Sequence, residues 1–254
     1  MTESALLSAD VALARRLARE AGELLSRLRH DGGHEGRALG DEGDQQANAL
    51  LLKALAIERP DDAILSEESV DDGRRFTADR VWIIDPLDGT REYREGRDDW
   101  AVHVALVARG VVIAAAVAQP MRNELFDSTQ TALSTPPKKV IVVSRSRPPT
   151  FSADIARALD ARIEPVGSAG VKALAVVRGD ALAYVHEGGL NEWDAAAPIG
   201  VALAHGLHAS DLQGRAIVFN QRDVVLHGGL VLCRPECAAA ITKITKITKT
   251  TKTA

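Results

Sequence analysis

The spacing of apolar residues predicts two helices at the start of the chain. Over residues 11–28, apolar side chains recur at the helical period. A Gly-rich polar stretch over residues 31–43 predicts a loop. A second apolar helix is predicted over residues 45–57, where it ends ahead of Pro60.

Short apolar runs after this point predict strands. Residues 63–65 and 81–84 each lead into acidic residues, and residues 101–107 and 111–118 form a hairpin joined through Arg109-Gly110. Further strands are predicted at 124–127, 140–144, 163–166, 181–185, 216–219 and 230–233, and helices at 153–159, 171–177 and 194–204. This mixture of strands and helices predicts a layered α/β fold.

A pair of prolines within residues 134–139 is typical of a connection between two halves. We expect an N-terminal α+β half over residues 1–133 and a C-terminal α/β half over residues 134–240. The remaining residues, 241–254, repeat Ile-Thr-Lys three times. Because a period of three suits neither a strand nor a broad helical face, we expect a frayed or disordered tail with no catalytic role.

Composition narrows the class of protein. The chain has 254 residues, 46% of them hydrophobic, which is enough to bury a large core. The formal net charge is -4 and no segment is densely basic, so we expect no nucleic acid polymer as a partner. We expect neither a membrane span nor a signal peptide, because no apolar stretch is long enough. Cys233 and Cys237 have no second pair to complete a zinc site, so we expect reduced thiols in a cytoplasmic protein.

The strongest chemical signal lies in residues 81–90, where a buried strand leads into Asp85 and Asp88. The proline after Asp85 restricts the backbone and Gly89 permits an unusual torsion. The two carboxylates and the carbonyl between them can therefore converge on a hard cation, which outlines a magnesium site. A helix that begins after Gly89 would direct its amide groups at a phosphate oxygen, and the Thr90 hydroxyl could orient an attacking water.

Two further acidic positions are weaker signals on their own. Glu67 and Glu68 follow a short predicted strand, and an acidic pair before a loop is commonly just solvated. Asp194 stands at the start of an Ala-rich helix, where it could cap the helix, bind a metal ion, or do both. Small residues after Asp194 would let this helix approach the core closely.

Taken in order, three motifs resemble the inositol monophosphatase superfamily of lithium-sensitive, magnesium-dependent phosphatases. They are Glu67-Glu68-Ser69, residues 85–90 and residues 193–198, and the resemblance spans roughly residues 11–233. It implies an αβαβα sandwich of the inositol monophosphatase and fructose-1,6-bisphosphatase type. It also implies two or three Mg²⁺ ions held by Glu67, Asp85, Asp88, Asp194 and the Leu87 carbonyl, with catalytic roles for Glu67 and Thr90 in activating water.

Asp44 is a further position that the resemblance implies is catalytic. The family places an Asp ahead of the second helix, where it binds another ion or partners the threonine. In this chain Asp44 follows Asp41-Glu42-Gly43 rather than the usual Thr-x-Ala stretch. Asp41 therefore stays an alternative.

Residues beside these motifs bear on the substrate. Arg91-Glu92-Tyr93 and residues 143–147 resemble the bisphosphate nucleotidases of the family. This implies hydrolysis of adenosine 3',5'-bisphosphate, a by-product of sulfate activation, to AMP and phosphate, with inhibition by lithium. Residues 167–172 resemble the family's substrate loop, and cations such as Arg145 and Lys172 suit a second phosphate. The implied substrate contacts are Asp88, Gly89, Thr90, Arg145, Gly167, Ser168, Lys172 and Asp194.

Other interpretations remain open. Inositol-1-monophosphatase or fructose-1,6-bisphosphatase activity, alone or overlapping, is the main alternative, and a non-catalytic sensor of metal and nucleotide is a remote one. An aspartyl-phosphate mechanism is disfavoured, because Asp85 and Asp88 are three positions apart rather than two. His103 lies in an apolar strand and is interpreted as a packed core residue rather than a catalytic base. Homodimers are common in the family, so a homodimer is a further alternative.

Overall fold

The computed structural model describes residues 3–129 and 136–252. Its helices are α1 Glu3–Asp31, α2 Gly36–Glu58, α3 Thr90–Arg94, α4 Ser152–Ala158, α5 Ala169–Arg178, α6 Glu192–Ala204 and α7 Ala238–Lys252. Its strands are β1 Ala63–Ser66, β2 Arg80–Asp88, β3 Ala101–Ala108, β4 Val111–Gln119, β5 Glu124–Asp127, β6 Val140–Ser144, β7 Arg162–Val166, β8 Ala183–His186, β9 Leu190–Asn191, β10 His208–Ser210, β11 Val225–Leu226 and β12 Leu230–Cys233.

Within these ranges the strands form two five-stranded sheets and one short ribbon. The first sheet has the order β1-β2-β3-β4-β5, in which β1 and β2 are parallel and the other pairs are antiparallel. The second has the order β10-β12-β8-β6-β7, in which β6 runs parallel to both β7 and β8. The ribbon pairs β9 with β11, next to the start of α6.

The sheets and helices stack in five layers, which confirms the predicted layered α/β fold and the αβαβα sandwich. Helices α1 and α2 cover the outer face of the first sheet, α5 and α6 fill the space between the sheets, and α4 and α7 cover the outer face of the second. Three apolar cores hold these layers together. The core under α1 and α2 includes Leu17 and Trp82, and the core between the sheets includes Ile83 and Leu174. The core under α4 and α7 includes Ile155 and Val231.

The loop predicted over residues 31–43 is largely wrong, because α2 already begins at Gly36. The glycines in this stretch were interpreted as loop residues. Gly40 and Gly43 are instead buried on the inner face of the helix. A Cβ atom at Gly43 would lie 3.1 Å from Leu25 Cδ2, so the small residue permits close packing of α2 against α1.

The strand predicted over residues 216–219 is also wrong. These residues form an irregular segment, and Phe219 N donates a hydrogen bond to Gly110 O at 3.0 Å in the β3–β4 turn. The short strands β9, β10 and β11 were not predicted, because two or three residues are too few to show an alternating pattern. The other predicted strands are present, and β2 extends through Asp88.

The prediction of a disordered tail is wrong through Lys252, because the segment forms most of α7. Ile241 and Thr245 share one face of this helix and are buried. Thr245 Oγ1 donates to Leu212 O at 2.7 Å, which satisfies its hydroxyl inside the core. Residues 253–254 lie outside the described part of the chain.

The boundary expected between residues 133 and 134 also lies outside the described residues. All five strands of the first sheet, β1–β5, precede this boundary in the sequence. All five strands of the second sheet follow it. None of the helices described combines the length and the apolar character needed to cross a membrane.

Candidate active site

Asp85 and Asp88 lie at the end of β2, within the strand rather than in a turn after it. The ladder to β3 is irregular between them, where Pro86 has no N–H to donate. Leu87 N donates to Asp85 Oδ1 at 3.1 Å instead. Gly89 then adopts a φ of 91°, and α3 begins with the next residue.

Asp194 is contributed by the first turn of α6 and reaches the same place. One oxygen from each of Asp85, Asp88 and Asp194 lies within 4.8 Å of the others. Residues 195–197 are fully buried alanines, so α6 can approach the sheet closely. Asp194 Oδ2 also accepts a hydrogen bond from Asn191 N at 2.6 Å. Asp194 therefore caps α6 and also belongs to the acidic cluster.

Glu67 joins this cluster from the end of β1. Because β1 pairs in parallel with β2, the chain leaves β1 beside Ile84, and Glu67 N donates to Ile84 O at 3.3 Å. The Glu67 and Asp85 carboxyl groups are close enough to shift each other's pKa. The parallel pairing therefore brings together the acidic residues that the motifs carry.

The pKa values of the cluster reflect burial and mutual repulsion. Burial, followed by the charge of Glu67, raises the pKa of Asp85 well above its usual value. Burial and the charge of Asp194 raise the pKa of Glu67 to about 7. Burial and the charge of Asp88 raise the pKa of Asp194 to about 6. A divalent cation would relieve this repulsion.

The donor atoms fit a hard divalent metal ion. Asp85 Oδ2 is buried and has no hydrogen-bond partner among the described residues, so it is available as a ligand. The Leu87 carbonyl, which lies between the two aspartates in sequence, accepts a hydrogen bond from the Thr90 hydroxyl at 3.1 Å and is a further oxygen donor. An all-oxygen set of this kind suits Mg²⁺, Mn²⁺ or Ca²⁺ rather than a metal that prefers sulfur.

Asp88 is held from its other side by the start of α5. Its carboxylate accepts hydrogen bonds from Ser168 Oγ and from the backbone N–H groups of Ala169 at 3.2 Å and Gly170 at 2.7 Å. His103 Nε2 lies 3.1 Å from Asp88 Oδ2. Burial alone would raise the pKa of Asp88, but His103 and the other neighbours outweigh it and hold this pKa below its usual range. Asp88 is therefore the readily ionised member of the cluster.

Asp44 meets Thr90, whereas Asp41 does not. Thr90 Oγ1 lies 3.4 Å from Asp44 Oδ1. Asp41 is exposed and lies 3.8 Å from the guanidinium of Arg37 on the same helix. Burial, followed by the charge of Glu68, raises the pKa of Asp44 to about 8. Of the two alternatives, Asp44 therefore meets the threonine as the family resemblance implies, although it lies within α2 rather than ahead of it.

A cavity of about 190 Å³ opens beside the acidic cluster. Asp88 and Asp194 line it together with Gly89 and residues 167–169 of the predicted substrate loop. Gly167 N donates to Asp99 Oδ2 at 2.8 Å, which ties this loop to the segment after α3. A larger cleft of about 780 Å³ lies beside α1 and β5, but its lining includes none of the acidic cluster, so the smaller cavity is the candidate site.

Lys172 and Arg145 line this cavity, yet both bond within the protein. Lys172 is 2% exposed, and its Nζ donates to the carbonyls of Gly167 and Ser168. Burial lowers the pKa of Lys172 to about 8. Arg145 Nη2 donates to Glu92 Oε1. Lys172 thus supports the substrate loop, and Arg145 joins β6 to α3.

Arg147, Tyr184 and His186 are among the residues that line the cavity without having been predicted as site residues. The Arg147 side chain is exposed, and no ion pair joins it to a carboxylate in the described ranges. The Tyr184 hydroxyl is buried without a hydrogen-bond partner there. His186 Nδ1 accepts a hydrogen bond from Gly188 N at 3.3 Å. Arg147 lies within residues 143–147, whose resemblance could have indicated it, whereas no motif marks the other two.

The fold and the site together define a class of protein. A layered α/β fold that gathers oxygen donors from three separate segments beside a small polar cavity is typical of metal-dependent hydrolases. The model of the inositol monophosphatase family matches residues 4–248, and the chain belongs to this family.

Individual relatives extend this result. A 3'-phosphoadenosine 5'-phosphate phosphatase from Mycobacterium leprae is 52% identical over 248 residues, which cover 90% of each chain. The 3'(2'),5'-bisphosphate nucleotidase CysQ of Escherichia coli K12 is 30% identical over 202 residues, covering 73% of this chain and 81% of its own. The crystal structure of CysQ from Bacteroides thetaiotaomicron has a TM-score of 0.76 at 23% identity, covers 89% of this chain and 97% of its own, and shares the fold.

Proposed function

We propose that this protein is a magnesium-dependent 3'(2'),5'-bisphosphate nucleotidase that converts adenosine 3',5'-bisphosphate to AMP and phosphate. The observation that carries the proposal is one cavity whose lining combines carboxylates with a cation. Asp88 and Asp194 line it together with Arg147. A substrate with two phosphate groups suits such a site, because one phosphate can meet the metal-binding carboxylates and the other can meet the guanidinium. The name and identity of the Mycobacterium leprae relative support the same substrate.

The residues that would hold two or three Mg²⁺ ions are Glu67, Asp85, Asp88, Asp194 and the Leu87 carbonyl. When bound, these ions supply positive charge to the ester phosphate and lower the pKa of water. The Thr90 hydroxyl has one proton and two lone pairs. Because it donates that proton to Leu87 O or Asp44 Oδ1, its lone pairs can accept a hydrogen bond from the attacking water. Thr90 and Asp44 thus orient the water, and Gly89 and Thr90 offer backbone amides to the phosphate.

The contact to the second phosphate is reassigned to Arg147. Arg145 and Lys172 were the candidates, but Glu92 binds the first and the loop carbonyls bind the second. Arg147 keeps its guanidinium for a ligand, as far as the described residues show. Gly167 and Ser168 would shape the cavity for the sugar, since Lys172 supports their backbone. Both described cysteines are free, which supports a reducing compartment such as the cytoplasm.

The test compares kcat/KM for adenosine 3',5'-bisphosphate, adenosine 3'-monophosphate, inositol 1-phosphate and fructose 1,6-bisphosphate with saturating Mg²⁺. We expect the adenosine bisphosphate to be preferred. We expect Arg147→Ala to lower kcat/KM for this substrate about 10- to 100-fold, the effect of losing one charge-assisted contact, without changing hydrolysis of the monophosphate.

Arg91→Ala is the matched control. Arg91 lines the same cavity, but it pairs with Glu95 at 2.9 Å, so its loss should affect all four substrates little. A preference for inositol 1-phosphate would contradict the nucleotidase proposal. Equal losses from Arg147→Ala with the bisphosphate and the monophosphate would contradict the assignment of Arg147.

A further inference from the structure

His103 lies in the middle of β3, directly behind the acidic cluster, and its side chain is fully buried. In the antiparallel pairing of β3 with β2, His103 is opposite Asp85. The sequence predicted that His103 is a packed core residue, and its burial agrees with that interpretation. Its contacts, however, are to polar groups of the site.

The imidazole of His103 contacts two segments that carry acidic residues of the cluster. Nε2 lies 3.1 Å from Asp88 Oδ2 at the end of β2. Nδ1 lies 3.0 Å from the carbonyl oxygen of Trp193, the residue directly before Asp194 in α6. Nδ1 is also 4.0 Å from Asp85 Oδ2. One rigid ring therefore spans the distance between the end of β2 and the first turn of α6.

The start of α5 leaves space for this ring. A Cβ atom at Gly170 would lie 2.2 Å from His103 Nε2 and 3.0 Å from Ala101 Cβ, so only glycine allows this approach. The same approach brings Gly170 N within 2.7 Å of Asp88 Oδ2. Asp88 thus lies between the amide groups of α5, which donate hydrogen bonds to it, and the imidazole of β3, which is within ion-pair distance of it.

We propose that His103 is a positioning residue that sets the placement of Asp88 relative to Asp194 and thereby the affinity of the site for divalent metal ions. The proposal rests on the metal site of the proposed function, but not on the identity of the substrate. Groups that orient metal-binding side chains without binding the metal typically change its affinity about 10- to 100-fold when they are replaced. Without His103, α5 alone would orient Asp88, and α6 would lose its hydrogen bond at Trp193.

The test measures the Kd of the metal-free protein for Mg²⁺ and Mn²⁺ by titration calorimetry, together with its Tm. His103→Phe keeps a ring of similar shape and removes both polar contacts. His103→Asn keeps an amide that can reach Trp193 O but is too short to reach Asp88. We expect both variants to bind the metal ions more weakly, by about 10- to 100-fold.

His205→Phe is the matched control. His205 is also a buried histidine, and its Nδ1 lies 2.8 Å from Val201 O, a carbonyl at the far end of α6. This variant should lose stability to a similar degree and keep the wild-type Kd. The proposal is overturned if the Kd of His103→Asn stays within twofold of wild type, or if His205→Phe weakens metal binding equally. If the wild-type protein binds Mg²⁺ but does not hydrolyse the nucleotide, the proposed function fails while this inference is still tested by the Kd values.

Discussion

Asp85 is almost completely buried beside other carboxyl groups, and one of its oxygens has no partner among the described residues. Such a group lowers the stability of the metal-free protein. At pH 7.5 in EDTA, we expect Asp85→Asn to raise the free energy of unfolding by about 1–3 kcal/mol, because an amide has no charge to desolvate and does not repel the neighbouring carboxylates. Chemical denaturation measures this quantity. The same variant should lose metal binding and phosphatase activity.

Asp211→Asn is the control for this prediction. Asp211 is similarly buried, but its carboxylate accepts hydrogen bonds from the backbone of Gln213 and Arg215 and from the Arg215 side chain. Neutralising it should therefore destabilise the protein. Destabilisation by Asp85→Asn in EDTA would show that the cluster is not under electrostatic repulsion.

The titration of His186 makes the free energy of unfolding depend on pH. Burial, followed by the charges of Lys172 and Arg147, lowers the pKa of His186 to about 4, while Glu187 opposes the shift. Between this value and about 6.5, the ordinary pKa of histidine, the unfolded chain binds the proton more strongly than the folded protein does. Stability from this residue is therefore present above pH 6.5 and is lost as the pH falls towards 4.

A comparison of wild type with His186→Gln measures the contribution of His186 to this pH dependence, because glutamine does not titrate. We expect the difference in unfolding free energy between the two proteins to fall by an amount on the order of 2 kcal/mol between pH 7 and pH 4.5, given about 1.4 kcal/mol per pKa unit. Urea denaturation at several pH values measures it. A difference that stays constant over this range would contradict the lowered pKa.

At single positions, motifs indicated the acidic residues, but they did not indicate their partners. Asp85 and Asp88 were indicated by the buried strand that leads into them, and Asp194 was assigned to the site through the family resemblance. His103 could not be found in this way, since its role depends on a carbonyl 90 positions away in the chain. Arg145 and Arg147 are two positions apart, and only the position of Glu92 shows which of them already has a partner.

The first turn of α5 contributes both to the stability of the protein and to the geometry of the site. Ser168 Oγ accepts a hydrogen bond from Val171 N at 3.0 Å, which caps the helix, and donates one to Asp88. Ser168→Ala should lower the free energy of unfolding by about 1 kcal/mol, the usual cost of losing a cap. It should also lower kcat/KM, because Asp88 loses one of the groups that orient it. Denaturation and steady-state kinetics with the adenosine bisphosphate measure the two effects.

Ser152→Ala provides the comparison for this variant. Ser152 is a buried serine at the start of α4, and its Oγ donates to Pro149 O at 2.6 Å. Because α4 covers the outer face of the second sheet, this variant should lose stability without losing activity. Wild-type kinetics in Ser168→Ala would show that the hydrogen bond to Asp88 has no role in catalysis.

The sequence predicted the helices and strands that have a regular apolar pattern. The prediction was wrong for segments whose conformation depends on tertiary contacts. The β3–β4 hairpin and helices α4, α5 and α6 have strong periodicity and were predicted correctly. In α2, Gly40 and Gly43 were interpreted as loop residues, although close packing explains them. In α7, the three-residue repeat hides a buried face, because Ile241 and Thr245 are four positions apart.

At the scale of the whole molecule, the acidic cluster connects layers that are otherwise held by separate apolar cores. Asp85 and Asp88 belong to the first sheet and Glu67 directly follows its strand β1, whereas Asp194 belongs to the helical layer between the sheets. The pattern of hydrophobic residues predicts layers, but it does not predict which ends of those layers meet. The meeting of these residues follows from the parallel pairing of β1 with β2 and from the close approach of α6.

Because the proposed metal ligands come from two layers, metal binding should stabilise the molecule as a unit. A ligand that binds only the folded protein adds about 2.7 kcal/mol to its stability at a concentration of 100 times Kd. We expect Mg²⁺ to raise the Tm of the EDTA-treated protein and to leave a single unfolding transition in calorimetry. Asp85→Asn should show no such rise, because its cluster no longer holds the ion. Two transitions, of which Mg²⁺ moves only one, would show that the two sheets unfold independently and that Asp194 is not coupled to the end of β2.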